Sequence, residues 1–193
     1  MRRPVYLVIA LVAMWLIGMN AAAEGYVAVR AVHNPLSTAT SVLGGDRSEV
    51  VVSAFIEAIS KHPHVNLPLG IAQILLGGLM VLVSIKALVG RHASTSFALQ
   101  VVAANALLMV VGYALQLPVR GGIVNAVVAS GIAKPPDGMT LAHFQRIERI
   151  QLWWSFRLGL AMKVSALALC AFALTRRSAR RVLAPVEPHP EER

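Results

Sequence analysis

The chain has 193 residues, 56% of them hydrophobic and only 14% charged, with a mean hydropathy of +0.65. A water-soluble domain carries about 25% charged residues, so this composition excludes an ordinary soluble fold. The formal charge of +9 does not imply nucleic acid, because the basic residues cluster where membrane topology places them.

Four apolar runs, residues 5–23, 67–90, 97–117 and 152–174, are long enough to cross a bilayer. A hydrocarbon core of about 30 Å takes roughly 20 helical residues. The predicted fold is an all-α integral membrane protein: a four-helix transmembrane bundle within residues 1–182. External loops fall at 24–66 and 118–151, and two or three short amphipathic helices lie on the extracytoplasmic side. No resemblance to a known family is specific enough to name.

The first run follows Arg2 and Arg3 and closes on Ala21-Ala22-Ala23 before Glu24, which is also the outline of a cleavable secretory signal. It exceeds the usual signal core of about 7 to 15 residues and carries Trp15 and Asn20, so a retained span is expected. Cleavage would leave three spans without changing the topology downstream. In the first external loop, Asp46 can cap a helix over residues 47–60, with Glu49 reaching back. Val51, Val52, Phe55 and Ile59 recur at helical spacing opposite Glu49, Ser53, Glu57 and Lys61, the pattern of an amphipathic surface helix. Pro63 ends it, and Pro68 starts the second span near its first turn.

Lys86 and Arg91 flank the short connection to the third span. After that span, Gly121-Gly122 opens the second external loop, and residues 123–132 form an apolar run too short to cross, read as an interfacial helix. Lys134-Pro135-Pro136-Asp137-Gly138 is turn chemistry. Thr140 then caps a helix whose stripe of Leu141, Phe144, Ile147 and Ile150 opposes Arg146, Glu148 and Arg149 and continues unbroken into the fourth span. Trp153 and Trp154 mark its headgroup level. Arg176, Arg177, Arg180 and Arg181 follow the last span, and the proline-rich tail 183–193 is expected to be disordered. Basic residues crowd the span ends on one side, so both termini are placed in the cytoplasm; the Arg-, Ala- and Val-rich composition, short loops and signal-like start point to a bacterial inner (plasma) membrane.

Lys163 is the most informative residue, because it lies about 15 Å below the tryptophan level along a helix. A lysine there costs about 2.5 to 3.5 kcal/mol on insertion scales and needs a partner. Asn105 falls at a similar depth, Gln73, Gln100, Asn20 and Tyr113 offer further polar atoms, and no carboxylate is expected at that level. The candidate intramembrane polar site is therefore Lys163, Asn105, Gln73 and Gln100, with a structural lysine bonded to Asn105 or snorkelling as the alternative. Glu24 and Arg157 are expected to pair at the outer interface. Gly77-Gly78, Ala103-Ala104 and Ala161 with Ser165 are read as close-approach points between helices.

No catalytic, cofactor or metal site is legible. Cys170 is alone inside a span, and the His62-Pro63-His64 pair lacks a metal-ligand pattern. The functional expectation is a non-enzymatic accessory or interaction protein that presents external helices, with Phe55, Phe144, Arg146 and Arg149 as the partner surface for an envelope or membrane protein. The alternative is a small transporter, channel or sensor for a solute, anion or proton, built on Lys163 and functioning as a homo-oligomer.

Overall fold

The computed structural model describes residues 4–34, 46–89, 94–130, 135–177 and 179, with the backbone alone described at 46–51. Among the described residues six helices follow in order: α1 (Val5–His33), α2 (Asp46–Ser60), α3 (Pro63–Val89), α4 (Thr95–Leu115), α5 (Leu117–Ala129) and α6 (Leu141–Thr175). There are no strands among the described residues. α1, α3, α4 and α6 are each long and apolar enough to cross a membrane. They also leave large apolar side chains on the outside, among them Ile9, Leu16, Leu75, Leu82, Leu107, Leu158 and Met162. Water would penalise that surface; a multi-pass membrane protein requires it.

The four long helices form an up-down-up-down bundle in which α1 touches α3 and α6, and α4 touches the same two. The contact between α1 and α3 is the most extensive. Its cause is a heptad: Leu7, Leu11, Met14, Gly18, Ala21, Gly25 and Ala28 recur at alternating steps of four and three on α1, and all are buried. Asn66, Gly70, Gln73, Gly77, Met80, Ser84 and Ala87 follow the same spacing on α3, all buried except the half-buried Gln73. The glycines meet in antiparallel register. A Cβ on Gly18 would lie 2.8 Å from the Gly77 carbonyl oxygen, and one on Gly25 would lie 2.5 Å from that of Gly70. No hydrophobic force drives helices together in lipid, so small residues that bring backbones into contact supply the packing energy.

Two apolar cores result. Leu7, Leu11, Met14, Met80, Val101, Leu167 and Leu174 fill the bundle at one end. At the other, Ala28 and Ala31 pack with Ile56, Ile59, Val119, Ile123 and Val127, so that α2 and α5 cap the bundle there. On α2 the packed face is Val52, Ile56 and Ile59, flanked by Ala54 and Ala58, while Phe55 is left 37% exposed. The helix phase therefore differs slightly from the expected stripe.

Several expected boundaries move, each for a local reason. α1 continues ten residues past Ala23 to His33, because Gly25, Ala28 and Ala31 keep it packed. α3 begins at Pro63, whose missing N–H has no partner to lose in the first turn, and Pro68 lies inside the helix rather than at its start. Gly121 and Gly122 do not open a loop but lie within α5, which starts directly after Gln116 with Pro118 at its head. Pro118 lacks the N–H that would continue α4, so the chain turns there. Thr140 precedes α6, but its side chain makes no capping hydrogen bond. Of the small residues expected at helix contacts, Gly77 is one, whereas Gly78 meets nothing within 4 Å and Ala103, Ala161 and Ser165 are exposed. The capping contact expected of Asp46 and Glu49, and the tail 183–193, lie outside the described residues.

Candidate functional site

Between the two cores the bundle interior turns polar and opens into a cavity of about 330 Å³. Each helix contributes one stripe. α1 gives Glu24 and Ala28, and α4 gives Met109, Gly112, Tyr113 and, at its end, Gln116. α5 gives Arg120; α6 gives Ser155, Phe156, Gly159, Leu160 and Lys163; Gln73 on α3 and Phe55 on α2 complete the wall. The spacing of three and four along α1, α4 and α6 is what one helical face presents to one space.

Lys163 donates to Glu24, with Nζ 2.6 Å from Oε1, and Asn20 donates to the same oxygen at 2.8 Å. Glu24 therefore takes the place expected for Asn105. The two charged residues come from different heights: the Cys170 thiol donates to the Ala10 carbonyl, which sets the level of α6 against α1. On that reference Lys163 rises about 10 Å and Glu24 about 21 Å above the shared level. Side chains close the gap because Cα–Cβ bonds tilt toward a helix N-terminus. α1 and α6 are antiparallel, so Glu24 leans down the bundle and Lys163 leans up it. The side chains remain 49% and 36% exposed, enough to be reached from the cavity.

Asn105 is buried elsewhere, donating to the carbonyls of Leu76 and Val101 at 3.1 and 3.0 Å. It ties α4 to α3. Gln73 does line the cavity, while Gln100 is exposed and away from it. Arg157 stacks over Trp154 at 5.9 Å rather than pairing with Glu24. Of the proposed partner surface, Phe55 lines the cavity rim, Phe144 is half-buried, and Arg146 and Arg149 are exposed on the first turns of α6.

Arg120 is absent from the candidate site read from the sequence, falling at the start of the expected external loop 118–151. Its guanidinium lies between two rings, 4.5 Å from the centre of Tyr113 and 5.0 Å from that of Phe156. Burial between them pushes its pKa below the ordinary arginine value, opposed by Tyr113 and by Glu24, and an arginine still keeps its proton. Its hydrogen bond to Gln116 Oε1 is long, 3.5 Å. Gln116 in turn donates to Asn66, which is fully buried and bonds the Ile59 and His62 carbonyls at the corner between α2 and α3. Arg120 Nε and Tyr113 Oη are buried with no partner among the described residues. The only signals in the sequence were Pro118, which starts α5 early, and the spacing of Gln116 and Arg120 by one turn.

Among the described residues no group of three His, Cys, Asp or Glu side chains can hold a metal ion. Among the described residues, the fold is all-helical, with four candidate membrane spans and a chamber lined by charged and polar groups under a helical cap. No family model, curated protein or solved structure matches the chain.

Proposed function

We propose that this is a non-enzymatic protein of the bacterial inner membrane that captures an organic anion in the chamber between its two cores, acting as a sensor or carrier. Both termini face the cytoplasm and the α2–α5 cap faces outward, in keeping with Lys86, Arg176 and Arg177 at the uncapped end. The observation that carries the reading is a charge count: among the described residues, Arg120 and Lys163 share the cavity with one carboxylate, Glu24. One positive charge is left over. A cation held away from bulk water without a counter-charge is costly, and an anion entering the cavity removes that cost. The volume falls at the small end of ligand pockets, about 300 to 1,000 Å³.

Binding to the folded state raises stability by mass action, about 2.7 kcal/mol at a hundred times Kd. In neutral detergent, small carboxylates and other organic anions are therefore expected to raise the melting temperature of the wild-type protein. Lys163→Met and Arg120→Gln are each expected to reduce the shift. A melting temperature indifferent to every anion, or shifts in both variants as large as in the wild type, would remove the proposal. Flux in liposomes then separates a carrier from a sensor.

A second reading is favoured by the first turns of α6, where Leu141, Arg146, Arg149 and Ile150 are all exposed. They suit docking of an envelope or membrane protein. A stoichiometric partner is expected to co-purify in mild detergent and to be lost on Arg146→Glu with Arg149→Glu; retention in the double variant would refute docking through this face.

A further inference from the structure

Charge, donors and shape together narrow what the cavity takes. The surplus is one positive charge, so a ligand with a single negative charge leaves the chamber neutral. A phosphate monoester, at roughly −1.5 to −2, would overshoot. A planar guanidinium stacked on aromatic faces presents its N–H edge to a carboxylate. Arg120 is in that state, spending one N–H on a 3.5 Å bond to Gln116, itself a lining residue. The shape adds the apolar part. On α6 the lining runs from Ser155 to Lys163, about 12 Å of helix. A volume of about 330 Å³ along that length is a narrow slot at the small end of ligand pockets. Its walls between Arg120 and Lys163 are Phe156, Leu160 and Met109. Such a slot has room for one alkyl chain and none for a two-chain lipid.

Resting on the anion-binding reading of the same site, we infer that the ligand is a single-chain carboxylate amphiphile, its head on Arg120 and its chain lying along Phe156, Leu160 and Met109 toward Lys163. The chemistry is shared by a free fatty acid from the bilayer and by a water-borne carboxylate with a hydrophobic body.

The experiment titrates the purified full-length protein, in a neutral maltoside detergent, with sodium decanoate, sodium acetate and decanol, and reads binding as the mass of the intact complex. One decanoate per chain is expected, with acetate and decanol at least tenfold weaker. Charge-assisted hydrogen bonds contribute about 1.5 to 3 kcal/mol, so Arg120→Gln is expected to weaken decanoate about ten- to a hundredfold. Gly159→Leu supplies a second variant: a Cβ at Gly159 meets nothing within 4 Å, and Gly159 lines the cavity, so the added side chain is expected to occupy the slot. It is expected to abolish decanoate binding while the protein still melts cooperatively. Acetate binding as tightly as decanoate, or without it, overturns the amphiphile and leaves the anion reading standing. Decanol binding equally tightly, or none of the three binding, overturns both. Decanoate binding unchanged in both variants places it on the outer apolar surface and overturns the inference. Extraction of the native protein distinguishes the sources: a co-purified fatty acid supports the bilayer, and its absence alongside decanoate binding supports a water-borne carboxylate.

Discussion

A single lysine in an apolar run was visible in the sequence as an anomaly, yet its partner was not. Glu24 closes the alanine-rich stretch before it and so read as an interfacial residue, because helix continuation beyond Ala23 depends on packing against α3 that no local pattern reports. Once α1 runs on to His33, the lean of the two side chains brings the carboxylate to the ammonium. Removing one partner leaves the other charge exposed to low dielectric, whereas removing both does not. Glu24→Gln and Lys163→Met are therefore expected each to lower stability, and the double variant to lose less than the sum. A coupling of about 1 kcal/mol or more in a double-mutant cycle, read by thermal unfolding in detergent, is the expected result; strict additivity would mean that the pair is ornamental. Arg120 was illegible for a different reason. Its significance lies in the two rings that enclose it, Tyr113 from one helix and Phe156 from another, and the second is 36 positions away in the chain.

Helices were the most legible feature, since each span announces itself by length and composition. Register between them was not. Gly18 and Gly25 are seven apart, as are Gly70 and Gly77, but the significance of either pair emerges only when α1 and α3 are laid antiparallel. Substitution separates the seam from its surroundings. At Gly25 an added methyl would meet the Gly70 carbonyl oxygen at 2.5 Å and the Ile74 amide nitrogen at 3.0 Å, both backbone atoms that cannot yield. Gly25→Ala is expected to cost about 1 to 3 kcal/mol, the usual price of overpacking. At Gly78 nothing lies within 4 Å, and Gly78→Ala is expected to gain about 0.5 to 1 kcal/mol from the helical preference of alanine. Unfolding in mixed micelles checks both, and equal effects at the two positions would disprove the seam. Turns were less legible still, because Gly121-Gly122 is a breaker by composition and yet sits in a helix that Pro118 had already started.

For the whole molecule, one end is capped by α2 and α5 and the other carries Lys86 and Arg176. The proposed topology puts these ends on opposite sides of the membrane, and the protein carries its own silent background for testing it. Cys170 is the sole cysteine of the sequence, is buried, and bonds the Ala10 carbonyl, so a membrane-impermeant maleimide should not reach it. Lys61→Cys is expected to label from outside intact spheroplasts and Lys86→Cys only after permeabilisation. The reverse pattern would invert the topology, and labelling of both from one side would abolish the four crossings. α6 is the longest helix, 35 residues or about 52 Å, well beyond a hydrocarbon thickness of about 30 Å. Its first turns must stand clear of the lipid or lie across its surface.

Interlocked backbones cannot slide by less than a full heptad without collision, so α1 and α3 behave as one stiff plank with Glu24 fixed to its edge. The opposite wall has no such lock beside the cavity: a Cβ at Gly159 would meet nothing within 4 Å, and there α6 is tied to α1 by the Lys163–Glu24 side chains, while Leu167, Cys170 and Leu174 anchor its far end in the core. On the proposed anion-binding reading, exchange is expected to proceed by tilting of α6, and cross-linking α6 to the plank is expected to trap whatever the chamber holds.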